Sequence, residues 1–222
     1  MVKVGEVKYG NRVIVREQEV EIPEGLNCLL GPSGLGKSTF LKTLNKVLKW
    51  PFIPQEPRLP SHATALDLVE YQSKFNKCVT PRKMVENFFE ISKELGIRDK
   101  VEMKLGRLSS GERQRVSVAL ALARGCEGLL ADEPTSQLDP LNAMKVMNAI
   151  ISRSERALVV THDLIAIAFC DRYFTLKGGY LRPSSVEEAL GVGLEDLCSK
   201  HFKAKALKSL SKSSSTSSGE VS

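Results

Sequence analysis

Short runs of alternating or continuous apolar residues take turns along the chain with helical periodicities. Residues 2–8 and 12–22 alternate like strands and break at Gly10-Asn11, whose residues tolerate the positive φ of a turn. Pro23-Glu24-Gly25 closes this section, and Leu26 to Leu30 (LNCLL) reads as a strand buried on both faces. It feeds a glycine-rich loop and a helix predicted from Lys37 to about Lys49. Pro51, Pro54, Pro57 and Pro60 keep 50–61 out of regular helix, because each fixes φ and removes a backbone donor. A mainly helical region follows, from about Ala63 to Lys104. Helix signals resume at Ser109 and stop at Gly125. Residues 128–131 (GLLA) form a second buried strand ending in two acids. Residues 140–152 are helical, 157–162 a third strand, 163–170 a helix, and 173–181 two strands around Gly178-Gly179. Strands alternating with helices predict an α/β fold with a mostly parallel, covered core sheet, the helical stretch being inserted between its strands.

Composition narrows the class. The chain of 222 residues is 42% hydrophobic and 26% charged, which is ordinary globular composition and excludes collagenous, coiled-coil and wholly disordered chains. Its longest nearly apolar stretch, Val116 to Ala123, falls far short of the ~20 residues that cross a bilayer. A membrane role therefore has to come through a partner. The opening MVKVGEVKYG alternates like a strand and lacks an apolar signal region, so a cytosolic product is expected. Five scattered cysteines without a CxxC pair predict inert thiols rather than a disulfide framework or a zinc site. The net charge of +6 resides mostly in 199–222, where five lysines face a single acid, Glu220. Nine serines and few large apolar side chains mark that segment as a disordered tail following a domain of 1–198. The remaining body is near neutral, which speaks against a specific nucleic-acid groove.

Three groups carry chemistry. Gly31-Pro32-Ser33-Gly34-Leu35-Gly36-Lys37-Ser38, followed by Thr39, fits GxxxxGK[ST] between a buried strand and a helix. Backbone N–H groups and the helix dipole there favour an anion, Lys37 can bridge phosphates, and Ser38 can ligate Mg²⁺. Asp132 and Glu133 end a strand where such folds bind ligand, the first suited to Mg²⁺ and the second to activating water. Ser109, Ser110 and Gly111 open a further helix, a second place where backbone donors favour an anion.

Together these motifs resemble the ATP-binding cassette (ABC) ATPases. Leu108-Ser109-Ser110-Gly111-Glu112 with Arg113-Gln114-Arg115-Val116 is similar to that family's signature sequence. Gln55 stands as the Q-loop glutamine, Ser136-Gln137-Leu138-Asp139 as the D-loop, His162 as the switch histidine and Tyr9 as the aromatic that stacks on adenine. The resemblance implies a P-loop NTPase fold of ABC type with a helical subdomain at about 56–124. It implies ATP and Mg²⁺ as ligands, with metal contacts from Ser38, Gln55 and Asp132. Catalysis would rest on Glu133, His162, Gln55 and Lys37. It further implies a head-to-tail dimer in which Ser109, Gly111, Glu112 and Asp139 close over the partner cassette's nucleotide, and separate transmembrane permease subunits at the inner face of the cell membrane. A soluble cassette driving assembly or remodelling has the same motifs, whereas chromosome-organising cassettes carry long coiled coils between P-loop and signature. Two departures stand out. Seventeen residues separate Lys37 from Gln55, a trimmed stretch that predicts a reduced antiparallel β region, and within the signature Ser110 replaces the first glycine and Glu112 the glutamine. Arg113 and Arg115 are expected on a solvated helix face.

Overall fold

The computed structural model describes residues 1–191. The side chain of Tyr9 and residues 192–222, which include Cys198, the expected boundary at 198 and the Lys/Ser-rich tail, lie outside the described residues.

The alternating N-terminal section forms four short strands rather than two: β1 (Val2–Val4), β2 (Val7–Tyr9), β3 (Arg12–Val15) and β4 (Gln18–Val20). They pair as two separate antiparallel ladders, β1 with β4 and β2 with β3, which is the reduced antiparallel region that the short Lys37–Gln55 interval predicted. The passage from β3 into β4 leans on a segment distant in sequence, since the Arg16 backbone N–H and the Gln18 side-chain amide both donate to the Gly179 carbonyl at 3.0 Å.

The core sheet contains β5 (Gly25–Leu30), β6 (Phe52–Ile53), β7 (Gly128–Asp132), β8 (Arg156–Val160), β9 (Arg172–Lys177) and β10 (Tyr180–Ser184) in the order β10-β9-β5-β8-β7-β6. Five of these run parallel, and β10 returns antiparallel at one edge. The helices are α1 (Lys37–Leu48), α2 (Ala65–Ser73), α3 (Pro81–Glu94), α4 (Ser110–Ala123), α5 (Pro140–Arg153), α6 (Leu164–Ala168) and α7 (Val186–Leu190). Strand β6 and helix α7 have no counterpart in the sequence reading: two residues among four prolines are too few to show a period, and their strand character comes from the bonding edge of β7.

Why the chain divides this way follows from its side chains. Leu29, Phe40, Leu41 and Leu44 pack with Val4, Val15 and Val20 on one face of the sheet. Cys28, Leu30, Ile53, Leu129 and Ala131 face the other way, against α3, α4 and α5. Successive β5 residues thus enter opposite cores, as a strand buried on both faces requires. Helix α4 opens with a capping box, in which the Ser109 hydroxyl accepts from the Glu112 N–H and the Glu112 carboxylate accepts from the Ser109 N–H. Arg113 and Arg115 are half-buried instead of solvated, because the N-terminal turns of α4 pack on the core and Arg113 donates to the Leu108 carbonyl.

The cysteines depart from expectation. Cys28 pairs with Cys170 and Cys78 with Cys126, at Cα separations of 5.9 and 5.1 Å, so four thiols are consumed in two disulfides. Sequence spacings of 142 and 48 residues carry no local signature. The pairs exist because the fold lays β5 beside the end of α6, and the α2–α3 loop against the α4–β7 connection. Asn76 reinforces the second junction by donating to the Val79 and Arg124 carbonyls.

A bridge closing 48 residues restricts the unfolded chain. Under oxidising conditions Cys78→Ser should lose about 2–4 kcal/mol of unfolding free energy. In urea melts the difference from the parent chain should vanish when both are reduced.

Candidate functional site

Three parallel strands deliver their C-terminal ends to one place. The P-loop leaves β5, Asp132 and Glu133 end β7, and His162 follows β8, the strand that lies between those two. Carboxyl edges of parallel strands in open α/β sheets are where ligands bind.

Gly36 precedes α1 in a left-handed conformation with φ of 90°, and a Cβ there would run into Cγ2 of Ile14 on β3. The hairpin β2–β3 therefore sits directly on the loop, and only glycine fits beneath it. No side chain caps α1, so its first N–H groups are available to an anion. Lys37 is 6% exposed, and its Nζ donates to the Gly31 carbonyl at 2.6 Å and the Pro32 carbonyl at 2.9 Å, which binds the loop into a ring around the ammonium. Burial lowers the Lys37 pKa, opposed by the negative charges of Glu133 and Asp132.

Glu133 adopts φ of 48°, a left-handed backbone that is uncommon outside glycine. Its N–H donates to the Val160 carbonyl at 2.8 Å, and its carbonyl accepts from the Ser136 N–H and hydroxyl. The carboxylate accepts from the His162 N–H at 3.2 Å, and the His162 Nε2 lies 3.7 Å from its other oxygen. Burial raises the Glu133 pKa, assisted by Asp132 and opposed chiefly by the His162 N–H. Burial likewise lowers the pKa of His162, with Lys37 acting in the same direction, so the imidazole is held toward its neutral form.

These groups line a cleft of about 510 Å³. Ser33, Gly34, Gly36, Lys37, Ser38, Thr39, Gln55, Asp132, Glu133 and His162 all face it, which brings together most of the residues singled out from the sequence. Gly31, Pro32 and Leu35 complete the loop behind it. The wall formed by Val7, Lys8, Arg12 and Ile14 was missed. Its only sequence signal is that Arg12 and Ile14, two residues apart on a strand, share a face.

A nucleoside triphosphate with a divalent cation fits this donor set. Asp132 is 4% exposed and its Oδ1 has no hydrogen-bond partner among the described residues, while Ser38 and Gln55 line the same cleft. Hard oxygen donors of this kind suit Mg²⁺. Ser109, Gly111, Glu112 and Asp139 lie elsewhere. The signature packs on the D-loop, with Gly111 against the Gln137 carbonyl, and Asp139 caps α5 by accepting from the Asn142 N–H. The Glu112 carboxylate is held in its own capping box and lies 3.8 Å from Lys100.

Sheet, loop and buried acids define a P-loop nucleoside triphosphatase. A family model described as ABC transporter matches residues 17–136. The chain is 32% identical to the iron(3+)-hydroxamate import ATP-binding protein FhuC of Bacillus subtilis, over 78% of its own length and 77% of that protein's. It is 30% identical to the phosphate import ATP-binding protein PstB of Thermococcus kodakarensis, over 71% and 78% respectively. A solved ATP-binding cassette, dimeric and in a post-hydrolysis state bound to ADP and Pi, superposes with a TM-score of 0.69 at 27% identity, covering 84% of this chain and 99% of that one. The chain belongs to the ABC transporter family, as a nucleotide-binding, ATP-hydrolysing subunit.

Gly36→Ala should abolish measurable binding of a fluorescent ATP analogue. The methyl meets Ile14, and the left-handed backbone alone adds roughly 1–2 kcal/mol of strain.

Proposed function

We propose that this subunit powers transport through separate membrane subunits, working as one half of an ATP-sandwich dimer at the inner face of the cell membrane. The observation that carries the transport reading is a second cavity, about 830 Å³, that shares Ser38, Gln55 and Asp132 with the nucleotide cleft. Its outer rim exposes Tyr71 and Phe75, whose rings stand 5.3 Å apart. Exposed aromatics on a concave surface suit a protein partner. Because the groove reaches Gln55, a partner seated there would act directly on the nucleotide site. Segment 56–75 forms much of this coupling surface. The family relatives named as import ATP-binding proteins favour the same reading.

Within the cassette, the backbone N–H groups of 33–36 with Lys37, Ser38 and Thr39 hold the ATP phosphates, and the hairpin bearing Tyr9 borders the base. Ser38, Gln55 and Asp132 would hold Mg²⁺, which would neutralise charge on the phosphate oxygens. Glu133 accepts the proton of the attacking water. Burial raises its pKa and so makes it a better proton acceptor than an ordinary carboxylate, and the His162 N–H fixes its direction. His162, neutral and beside Glu133, contacts the terminal phosphate. Ser109, Gly111, Glu112 and Asp139 address the nucleotide of the second cassette, consistent with their lying outside this chain's own cleft.

Glu133→Gln should slow phosphate release about 10²- to 10⁴-fold, the range for removing a general base. ATP-dependent dimers, followed by light scattering, should persist. Affinity capture from gently solubilised membranes should recover a polytopic protein, and Tyr71→Ala with Phe75→Ala should lose it while hydrolysis by the free subunit is unchanged. Recovery of soluble partners alone would turn the reading to an assembly or remodelling ATPase.

A further inference from the structure

Gln114 lies on α4, between the signature at its N-terminus and the groove-lining residues further along. Its side chain is fully buried. The Nε2 donates to the Pro54 carbonyl at 3.4 Å and to the Pro134 carbonyl at 3.3 Å, reaching 60 and 20 residues along the chain. These carbonyls belong to the residue just before Gln55 and the residue just after Glu133. The opposite atom, Oε1, is buried without a hydrogen-bond partner among the described residues. Turning the amide over would set an oxygen against two carbonyls, so the donor orientation is forced. An unpaired buried amide oxygen is unfavourable, yet a Gln occupies this place, and among the described residues its side chain makes these two hydrogen bonds alone.

Both tethered segments need an external hold. The 50–61 stretch is interrupted by four prolines, and its only regular element is the two-residue strand β6. Glu133 carries a left-handed backbone, and the turn that follows it begins at Pro134, which has no N–H to anchor itself. The Gln114 amide is the one side-chain group among the described residues that bonds to both.

We propose that Gln114 is a positioning residue for hydrolysis, setting the Gln55 loop and the Glu133 turn at a fixed separation from the signature helix. Gln114, Ser117, Ala121 and Arg124 follow one another at helical spacing on a single face, and the last three line the large groove. Displacement of α4 along or about its axis therefore moves both carbonyls together. The connection to groove occupancy rests on the coupling reading above; the positioning role does not.

The test uses the purified full chain and steady-state hydrolysis. Gln114→Met keeps the side-chain volume and removes the donor; Gln114→Asn keeps the amide but is one methylene too short to span both carbonyls. Either should lower kcat about 10- to 100-fold, the scale of a misplacement of 1 Å or less, with the KM for ATP within about twofold. In a Glu133→Gln background the same change should lower the residual rate less than about threefold, because residues acting as a unit are not additive. A role confined to stability would lower the melting temperature and leave kcat intact. A kcat within twofold of the parent in the folded variants would overturn the proposal, as would a full additional loss in the double variant. A full rate for Glu133→Gln alone would remove Glu133 as the base, and the kcat of the single Gln114 variants would then decide the positioning role.

Discussion

The site is organised by a buried cation and two buried carboxylates. Lys37, Asp132 and Glu133 are all nearly withdrawn from water, and a charge so placed is tolerable only with partners. Lys37 finds its partners in two carbonyls of its own loop, and the negative charge of both acids supports it. Glu133 finds a backbone N–H from the next strand. Each of these contacts requires β5, β7 and β8 to lie in the observed order, with their C-terminal ends level. The arrangement of charges and the topology of the sheet are thus a single constraint.

From that constraint the outer parts take their places. The loop around Lys37 needs glycine at 36, and the space left by the absent side chain is filled by Ile14, so a short hairpin becomes one wall of the nucleotide cleft. On the other side α4 brings Gln114 against the segments bearing Gln55 and Glu133 while its later turns line the large groove. One helix thus carries Ser110 and Gly111 at its start, bonds to the segments bearing Gln55 and Glu133, and lines the large groove. The helical insertion is pinned to the core by Cys78–Cys126, at the end of that same helix.

Much of this was legible beforehand, for physical reasons. Local chemistry announces itself locally. A capping Ser109 three residues before Glu112, a glycine loop between a buried strand and a helix, and two acids ending an apolar run each depend on neighbours in sequence. What escaped depends on partners far along the chain. Strand β6 exists through its bonds to β7, the half-burial of Arg113 and Arg115 through packing of α4, and the cleft wall of Arg12 and Ile14 through docking of a hairpin on the loop. The disulfides were misjudged for the same cause, since spacings of 142 and 48 residues hold no information about proximity.

Residue types at short spacings are enough to settle the class of chemistry, because phosphate binding, acid placement and helix capping all depend on near neighbours in the chain. Which cysteines meet, which amide ties Pro54 to Pro134 and which surface lies open to a partner follow from the long-range packing. Those are consequences of how strands order themselves in a sheet, and strand order is a long-range solution to burying both faces at once.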